Sequence, residues 1–471
     1  MSTRSIVVPL IASIIVLGVT VVPCTSASPQ ITAQMLPAGQ DLDLPSPPAG
    51  SVDQSEGSGV ASVTAAPPMG PEIVITDRNN AQYETAVAYN WKHEEYLVVW
   101  QDDAAGSGIH ARRVSNLGLP LGSAPMALAT GTLPQREPAV AYDSVNDRYL
   151  VVWMHDISGN GSNWDLSGRF VPWTGSTPSL PEFKIADWPG SEYHPEVAYA
   201  RGQTLKPEFL IVFSHRRATA PLAWYIAGIR VYADGSGFFP TALNISSGPE
   251  NRDVPDVTYN LNRNEYVVVW NVWRGTKWDI EGVRLQGNGN PLGSGEFVVA
   301  NSSVNDLWPS VAACDKADQY LAVWKTVTFL GDDEIRGRSI DGDGAPSLKD
   351  IQLDTTKGEE YGADVACNAE AYQYLVVWQE KEQYTNSKFG ILGSRVDTNG
   401  IVIDTPAFEI VSPSLAPADR HNPAVAAGPQ PSYLVSWEHA REGTTYQDIH
   451  GRIIGMVRYF VSLPLILRNH E

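Results

Sequence analysis

A five-residue run, Tyr96-Leu97-Val98-Val99-Trp100, sets the terms for the whole chain. It returns as Tyr149–Trp153, Phe209–Phe213, Tyr266–Trp270, Tyr320–Trp324, Tyr374–Trp378 and Tyr433–Trp437, at steps of 53 to 60 residues. β-Branched and aromatic side chains fit a pleated surface, so each run reads as a strand. Tyr96, Val98 and Trp100 share one face, and Leu97 and Val99 take the other. Both faces are apolar, so the strand must be covered on both sides.

Three more strands surround each run. In one unit, Pro138–Tyr142 precedes Tyr149–Trp153, then Leu166–Val171 and Phe183–Ala186 follow. Short polar connections make the unit an antiparallel meander. First strands recur at 86–89, 195–199, 255–259, 309–313, 363–367 and 423–427. Third strands recur at 109–114, 226–231, 280–285, 335–340, 391–396 and 449–454. Fourth strands recur at 125–129, 242–246, 297–300, 351–354 and 408–411. Four strands at a period near 50 predict an all-β, seven-bladed β-propeller of four-stranded antiparallel blades. The period is too short for separate immunoglobulin-like domains, which need about 100 residues each. The last unit lacks a fourth strand of its own, whereas Glu72-Ile73-Val74-Ile75 resembles Phe408-Glu409-Ile410-Val411. The N-terminal strand is therefore expected to close the last blade.

The propeller is expected over residues 71–455. Residues 1–27 read as a secretory signal: Arg4, a mostly apolar stretch from Ile6 to Val22, then the small residues Thr25-Ser26-Ala27. A retained anchor is the alternative. Residues 28–70, rich in Pro, Ser and Gly, read as a linker. The apolar tail, 456–471, either resembles the Leu-Pro-Leu endings of some bacterial secreted proteins or packs on the ring as a last strand. No segment of the mature chain reads as a membrane span. The net charge of −20 argues against nucleic acid, whose phosphates demand basic residues. The chain is expected to be secreted or held at the cell surface, where disulfides persist.

The repeat as a whole, Pro-x-Val-Ala-Tyr, then Tyr-Leu-Val-Val-Trp, then Ile-x-Gly-x-Arg-Val, resembles uncharacterised bacterial secreted β-propeller repeat proteins over residues 72–454. That resemblance implies a fold and a location and carries over no catalytic residues.

Candidate chemistry gathers where the chain enters each innermost strand, on what we term the upper face. The residues expected round the opening are Tyr83 and Glu84, Arg136 and Glu137, Tyr193 and His194, Arg252 and Asp253, Leu307 and Trp308, Glu360 and Tyr361, and Arg420 and His421. They vary from blade to blade while the strands stay alike, the pattern of a recognition site on a rigid scaffold. From these, Tyr83, Glu137, His194, Asp253, Trp308, Tyr361 and His421 are the expected ligand-binding set. Trp164, Trp224, Tyr225, Trp273, Trp278, Phe329, Tyr384, Phe389 and Tyr446 add aromatic surface in the second-to-third connections, or else brace the blades. Aromatic rings beside carboxylates suit a sugar. The expected function is a binding module for a glycan or a protein. The alternatives are a polysaccharide lyase or hydrolase with an axial active site, using Glu137, Asp253, His194, His421 or Tyr361, and a structural envelope component.

An arginine recurs in every third strand (Arg113, Arg169, Arg230, Arg284, Arg338, Arg395, Arg452), with Asp102, Asp156, Glu380 and Glu438 as candidate partners. Asp341-Gly342-Asp343-Gly344 lacks the further ligands of a calcium loop, and Asp397-Thr398-Asn399-Gly400 at the same place points to a hairpin turn. His194 and His421 stand without zinc-binding spacing. Neither metal nor cofactor is expected. Cys367 aligns with the usual Tyr and Cys314 one residue later, so the two can face each other across neighbouring blades. A disulfide between them is one expectation and two buried thiols the other.

Overall fold

The computed structural model describes residues 65–455, except 104–107, 176–180, 203–205, 218–223, 240, 247, 294, 329–332, 355–357, 383–387, 413–418, 430 and 445. The signal, most of the linker, the tail, Phe329 and Tyr384 lie outside the described residues. Among those residues no helix is long and apolar enough to cross a membrane.

Seven four-stranded antiparallel sheets are present, each ordered as a meander. In every interface, one face of a second strand meets the opposite face of the next. Leu97 and Val99 of blade 1 cluster with Tyr149, Val151 and Trp153 of blade 2. Leu150 and Val152 then meet Phe209, Ile211 and Phe213. The same contact repeats round to Leu434, which meets Tyr96, Val98 and Trp100 and closes the ring. This alternation explains why Tyr96 to Trp100 are all 0 % exposed. A chain of such blades buries both faces of its strands only by closing on itself.

Closure comes from the N-terminal strand, Ile73–Thr76, which pairs antiparallel with the third strand of blade 7, Gln447–Ile454. Gly70 N–H donates to Ile453 O at 2.8 Å, and Gly455 N–H to Pro68 O at 2.7 Å. Ile73 and Ile75 point into the core and Val74 points out.

The innermost strands are Gln82–Asn90, Gln135–Asp143, Gly190–Ala200, Arg252–Asn260, Asn305–Cys314, Gly358–Asn368 and Arg420–Ala427. Each carries a two-residue bulge at one place, where the register to the second strand shifts. The first bulged residue has positive φ in all seven: Glu84, Glu137, His194, Val254, Trp308, Gly362 and Asn422. In five blades the second is proline, which has no N–H to give to a ladder and so fits a bulge. A left-handed backbone is uncommon for any residue with a Cβ, and most of all for β-branched Val254, at φ 52°. Six blades accept that strain at the mouth of the axis, which marks the mouth as the place where side chains are aimed.

The recurring arginines occupy two adjacent positions, not one. Arg113, Arg230, Arg284 and Arg395 lie opposite the second residue of the run; Arg169, Arg338 and Arg452 lie opposite the third. One residue of offset turns the side chain to the other face of the sheet. Arg113, Arg230 and Arg284 pair with Glu95, Glu208 and Glu265 and reach a carbonyl of the next blade. Arg169 and Arg452 donate to Leu128 O and Ile410 O of the preceding blade. Arg338 and Arg395 pair with Asp350 and Asp404. The expected partners are thus corrected. Asp102 lies by Arg78, Asp156 accepts loop N–H groups, Glu438 accepts the Glu84 N–H, and Glu380 lies by Trp378. The acids that pair stand at the start of the second strand or in the last hairpin, within reach of the guanidinium.

In the structure Cys314 and Cys367 are bonded, with Cα atoms 5.4 Å apart and a sequence separation of 53. That Cα spacing is ordinary for a disulfide. Cys367 lies opposite Tyr374, the position of Tyr89, Tyr142 and Tyr259 in other blades. The bond would therefore tie blades 5 and 6 where other blades stack tyrosines. On loop-closure grounds, Cys314→Ala with Cys367→Ala should cost about 3–4 kcal/mol, read as a lower denaturant midpoint. Intact mass under non-reducing conditions should be lower by two hydrogens; two alkylatable thiols would remove the bridge.

Candidate functional site at the axial mouth

The bulges place six side chains and Gly362 at the upper end of the axis. They border a cavity of about 520 Å³ whose lining includes Glu84, Glu137, His194, Glu196, Trp308, Tyr361, Gln379 and Asn422. Glu137, His194, Trp308 and Tyr361 of the expected set are brought together here. Asp253 stands behind His194. Tyr83 lines a smaller hollow of about 250 Å³ with Arg136 and Glu438. His421 packs on Phe389 instead, with ring centroids 5.1 Å apart.

Asp253, Tyr361 and His421 are each one residue short of the bulge position, which Val254, Gly362 and Asn422 hold. Tyr361 still lines the cavity beside Gly362. Aligning the repeats on the proline after the bulge gives the correct register in blades 4 and 7. Glu84, Glu196 and Asn422 are absent from the expected set, yet they line the cavity.

A chain of hydrogen bonds fixes the bulges. The Glu84 N–H donates to Glu438 Oε1 at 2.7 Å, the Glu137 N–H to Glu84 Oε2 at 2.8 Å, and the His194 N–H to Glu137 Oε2 at 3.2 Å. Val254, Trp308 and Asn422 N–H groups donate to Ser214, Asn271 and Gln379. Ser214, Asn271, Gln379 and Glu438 each directly follow the final aromatic of the second strand in the preceding blade. In blades 1 and 2 that residue is Gln101 or Met154, and the bulge carboxylates Glu84 and Glu137 act as acceptors instead.

The acidic half of the mouth holds a charged imidazole. His194 Nδ1 is 2.9 Å from Glu137 Oε2, and its Nε2 is 3.8 Å from Asp253 Oδ1. Burial disfavours its charge, but Glu137, Asp253 and Glu84 outweigh burial and raise its pKa to about 9. Burial and the Glu137 charge push the Glu84 carboxyl up to about 7. Deeper in the channel, burial with Asp256 and Asp364 nearby holds Glu196 well above the carboxylate range. Asp256 and Asp364 are tied down by N–H groups of Val311 and Val425 in other blades.

The other half is aromatic. Trp308, Tyr361, Phe389 and His421 form an arc with successive centroids 6.2, 6.0 and 5.1 Å apart. Beneath it, the buried Lys325 ammonium lies 3.2 Å from the Tyr361 centroid and pairs with Asp333. Trp308 is 41 % exposed. Burial, with Glu359 and Asp333, raises the Tyr361 phenol above its ordinary range, and burial lowers His421.

The other aromatics divide. Trp164, Trp224, Tyr225 and Trp278 lie within third strands, and Trp273 ends a second strand. These five belong to the sheets, not to loops, because the second-to-third ladders run longer than the sequence pattern indicates. Trp164 is buried and donates its indole N–H to Gly161 O, whereas Tyr446 is exposed. Asp341 and Asp397 each accept two backbone N–H groups of their own hairpin, which accounts for both Asp-x-x-Gly turns.

No family model matches the sequence, and no curated protein matches it. Solved structures do. A protein of unknown function from Dyadobacter fermentans is 11 % identical with a TM-score of 0.49, over 83 % of this chain and 99 % of that one. The NanB sialidase of Streptococcus pneumoniae is 11 % identical with a TM-score of 0.46, over 82 % and 70 %. A Penicillium chrysogenum alpha-L-arabinanase solved with arabinobiose is 12 % identical with a TM-score of 0.44, over 82 % and 98 %. At such identities and TM-scores no role carries over from them to this chain.

Proposed function

We propose that the chain is a secreted or surface-attached binding module that takes a glycan at the axial mouth. The observation that carries this reading is that one cavity sets the rings of Trp308 and Tyr361 beside Glu84, Glu137 and the His194 imidazole. Ring faces suit the C–H surface of a sugar, and ionised or charged groups opposite suit its hydroxyls. A volume of about 520 Å³ is in the range of small-ligand sites. Protonation favours binding over turnover. His194, with its proton held to about pH 9, donates at neutral pH and is a poor base. Tyr361, with its phenol raised, stays protonated.

A glycan array on the mature protein, scored for binding and for release of reducing ends, tests the proposal. Binding without product is expected, with affinity reduced about tenfold or more in Trp308→Ala. Binding that uses the His194 proton should hold from neutral pH to about 9 and fall above it. Failure to bind any glycan would overturn the reading. One observation favours a hydrolase as the second reading: the Glu84 carboxyl at about 7 beside Glu137, since glycoside cleavage needs one carboxyl protonated next to another ionised. Product release that disappears in Glu84→Gln would establish it.

A further inference from the structure

Blade 7 carries a constellation that the axial site does not use. In its second strand, Tyr433–Ala440, Trp437 lies opposite His450 of the third strand. Val74 of the closing strand lies on the other side of His450. Side chains alternate with period two, and diagonal neighbours two residues off share a face. His439 is two residues beyond Trp437, and Glu72 is two before Val74. Glu72, His450 and His439 therefore lie on one face of three adjacent strands.

They converge. The imidazoles stack at 4.1 Å between centroids with 11° between planes. His450 Nδ1 is 2.6 Å from Glu72 Oε1, and His439 Nδ1 is 3.6 Å from the same oxygen. One ligand atom from each lies within 4.8 Å of the others. The His439 Nδ1 atom is buried and makes no hydrogen bond. A polar atom buried without a partner is costly unless something else uses it. In blade 1 the corresponding positions hold His110 and Asp102, and Arg78 sits between them, 3.1 Å from His110 Nε2 and 3.6 Å from Asp102 Oδ2. There a protein cation fills the space that blade 7 leaves to its two imidazoles and one carboxylate.

Two histidines and a glutamate are a donor set for zinc, with water as fourth ligand. Ligand atoms about 2.0–2.1 Å from a tetrahedral zinc stand about 3.3 Å from one another; the spacings to Glu72 Oε1 are 2.6 and 3.6 Å, and the stacked rings must turn apart for both lone pairs to meet one ion. Glu72 also borders a cavity of about 360 Å³ with Glu409, Arg420 and Arg452, which gives water and an ion a way in. Arg420 and Arg452 oppose a cation, Glu72 and Glu409 favour it, and nearby Arg441 is engaged by Asp448.

We propose that Glu72, His439 and His450 form a zinc site that pins the closing strand to blade 7. The ion would link the residue just before Ile73–Thr76 to the two strands that receive it, and so lock the seam of the ring.

Full-length protein stripped with chelator and titrated with Zn²⁺ by calorimetry tests this. One equivalent should bind, the melting temperature should rise by several degrees, and Co²⁺ in place of Zn²⁺ should give the visible bands of a tetrahedral site. His439→Ala and His450→Ala, checked for folding by circular dichroism, should lose both the shift and the bands. Glu72→Gln should weaken binding about tenfold or more. Absence of any Zn²⁺ equivalent on the stripped wild-type protein, which needs no variant to fold, would overturn the proposal. So would Zn²⁺ binding that survives in both histidine variants.

Discussion

A chain lacking residues 71–77 should melt at a far lower temperature than the full chain and should aggregate on standing. Ile73 and Ile75 are 6 % and 0 % exposed, and burying each contributes about 1.5–3 kcal/mol. The ladder to Gln447–Ile454 adds net hydrogen bonding of about 1 kcal/mol per bond. The sum, roughly 5–8 kcal/mol, is comparable with the whole stability of an ordinary domain. The loss is also structural. Without its partner, Gln447–Ile454 becomes an exposed edge, a template for pairing between molecules. A point variant makes the cause specific. Ile75→Asp buries a charge in the seam and should reproduce most of the loss, whereas Val74→Asp, at a position 47 % exposed, should change little. Calorimetry and light scattering measure both effects. An unchanged melt for Ile75→Asp would mean that the ring does not depend on this strand.

The fold was legible because its determinants are local and repeated. A five-residue strand with two apolar faces demands a neighbour on each side, and seven such strands supply one another. The closing strand was legible for the same reason, as Ile73 and Ile75 copy the alternation of Phe408 and Ile410. The site was legible only in part. Glu137, His194 and Trp308 were found because each directly precedes a proline, the landmark of the bulge. In blades 4 and 7 the residue before proline is Val254 or Asn422, and the titratable neighbours Asp253 and His421 stand one residue earlier. Positive φ leaves no mark on an individual letter of the sequence, so the bulge register could not be seen directly. The arginine partners were hidden for a related reason. Arg112 and Arg113 are neighbours in sequence but face different blades, with Arg112 reaching Ile75 O and Arg113 reaching Glu95 and Thr174 O. His439 and His450 are 11 positions apart, and their meeting depends on the hairpin register, which sets Trp437 opposite His450.

Breaking the Glu208–Arg230 pair from one side should cost about 3–5 kcal/mol, whereas replacing both partners together should cost much less. The pair is bidentate, at 2.7 and 2.6 Å, with side chains only 2 % and 9 % exposed. Tyr266 donates to the same carboxylate at 3.3 Å, and Arg230 donates onward to Asn288 O of the next blade at 2.7 Å. Glu208→Leu strands a guanidinium that cannot lose its charge, so its deficit should be nearly independent of pH. Arg230→Met strands a carboxylate that can. Burial raises the Glu208 pKa above its ordinary value even with Arg230 present, and losing the cation raises it further. A raised carboxyl pKa means that the folded state holds the proton more tightly than the unfolded chain. Its contribution to stability is then greatest at acid pH and falls as the pH climbs above about 4.5. The Arg230→Met deficit should therefore be largest at neutral pH and shrink on acidification, while the Glu208→Leu deficit stays. The double variant, apolar on both sides, should recover most of either loss at neutral pH. Denaturant midpoints for the four proteins at two pH values give the cycle. Additive losses with no pH difference between the single variants would show that the two groups contribute through packing alone.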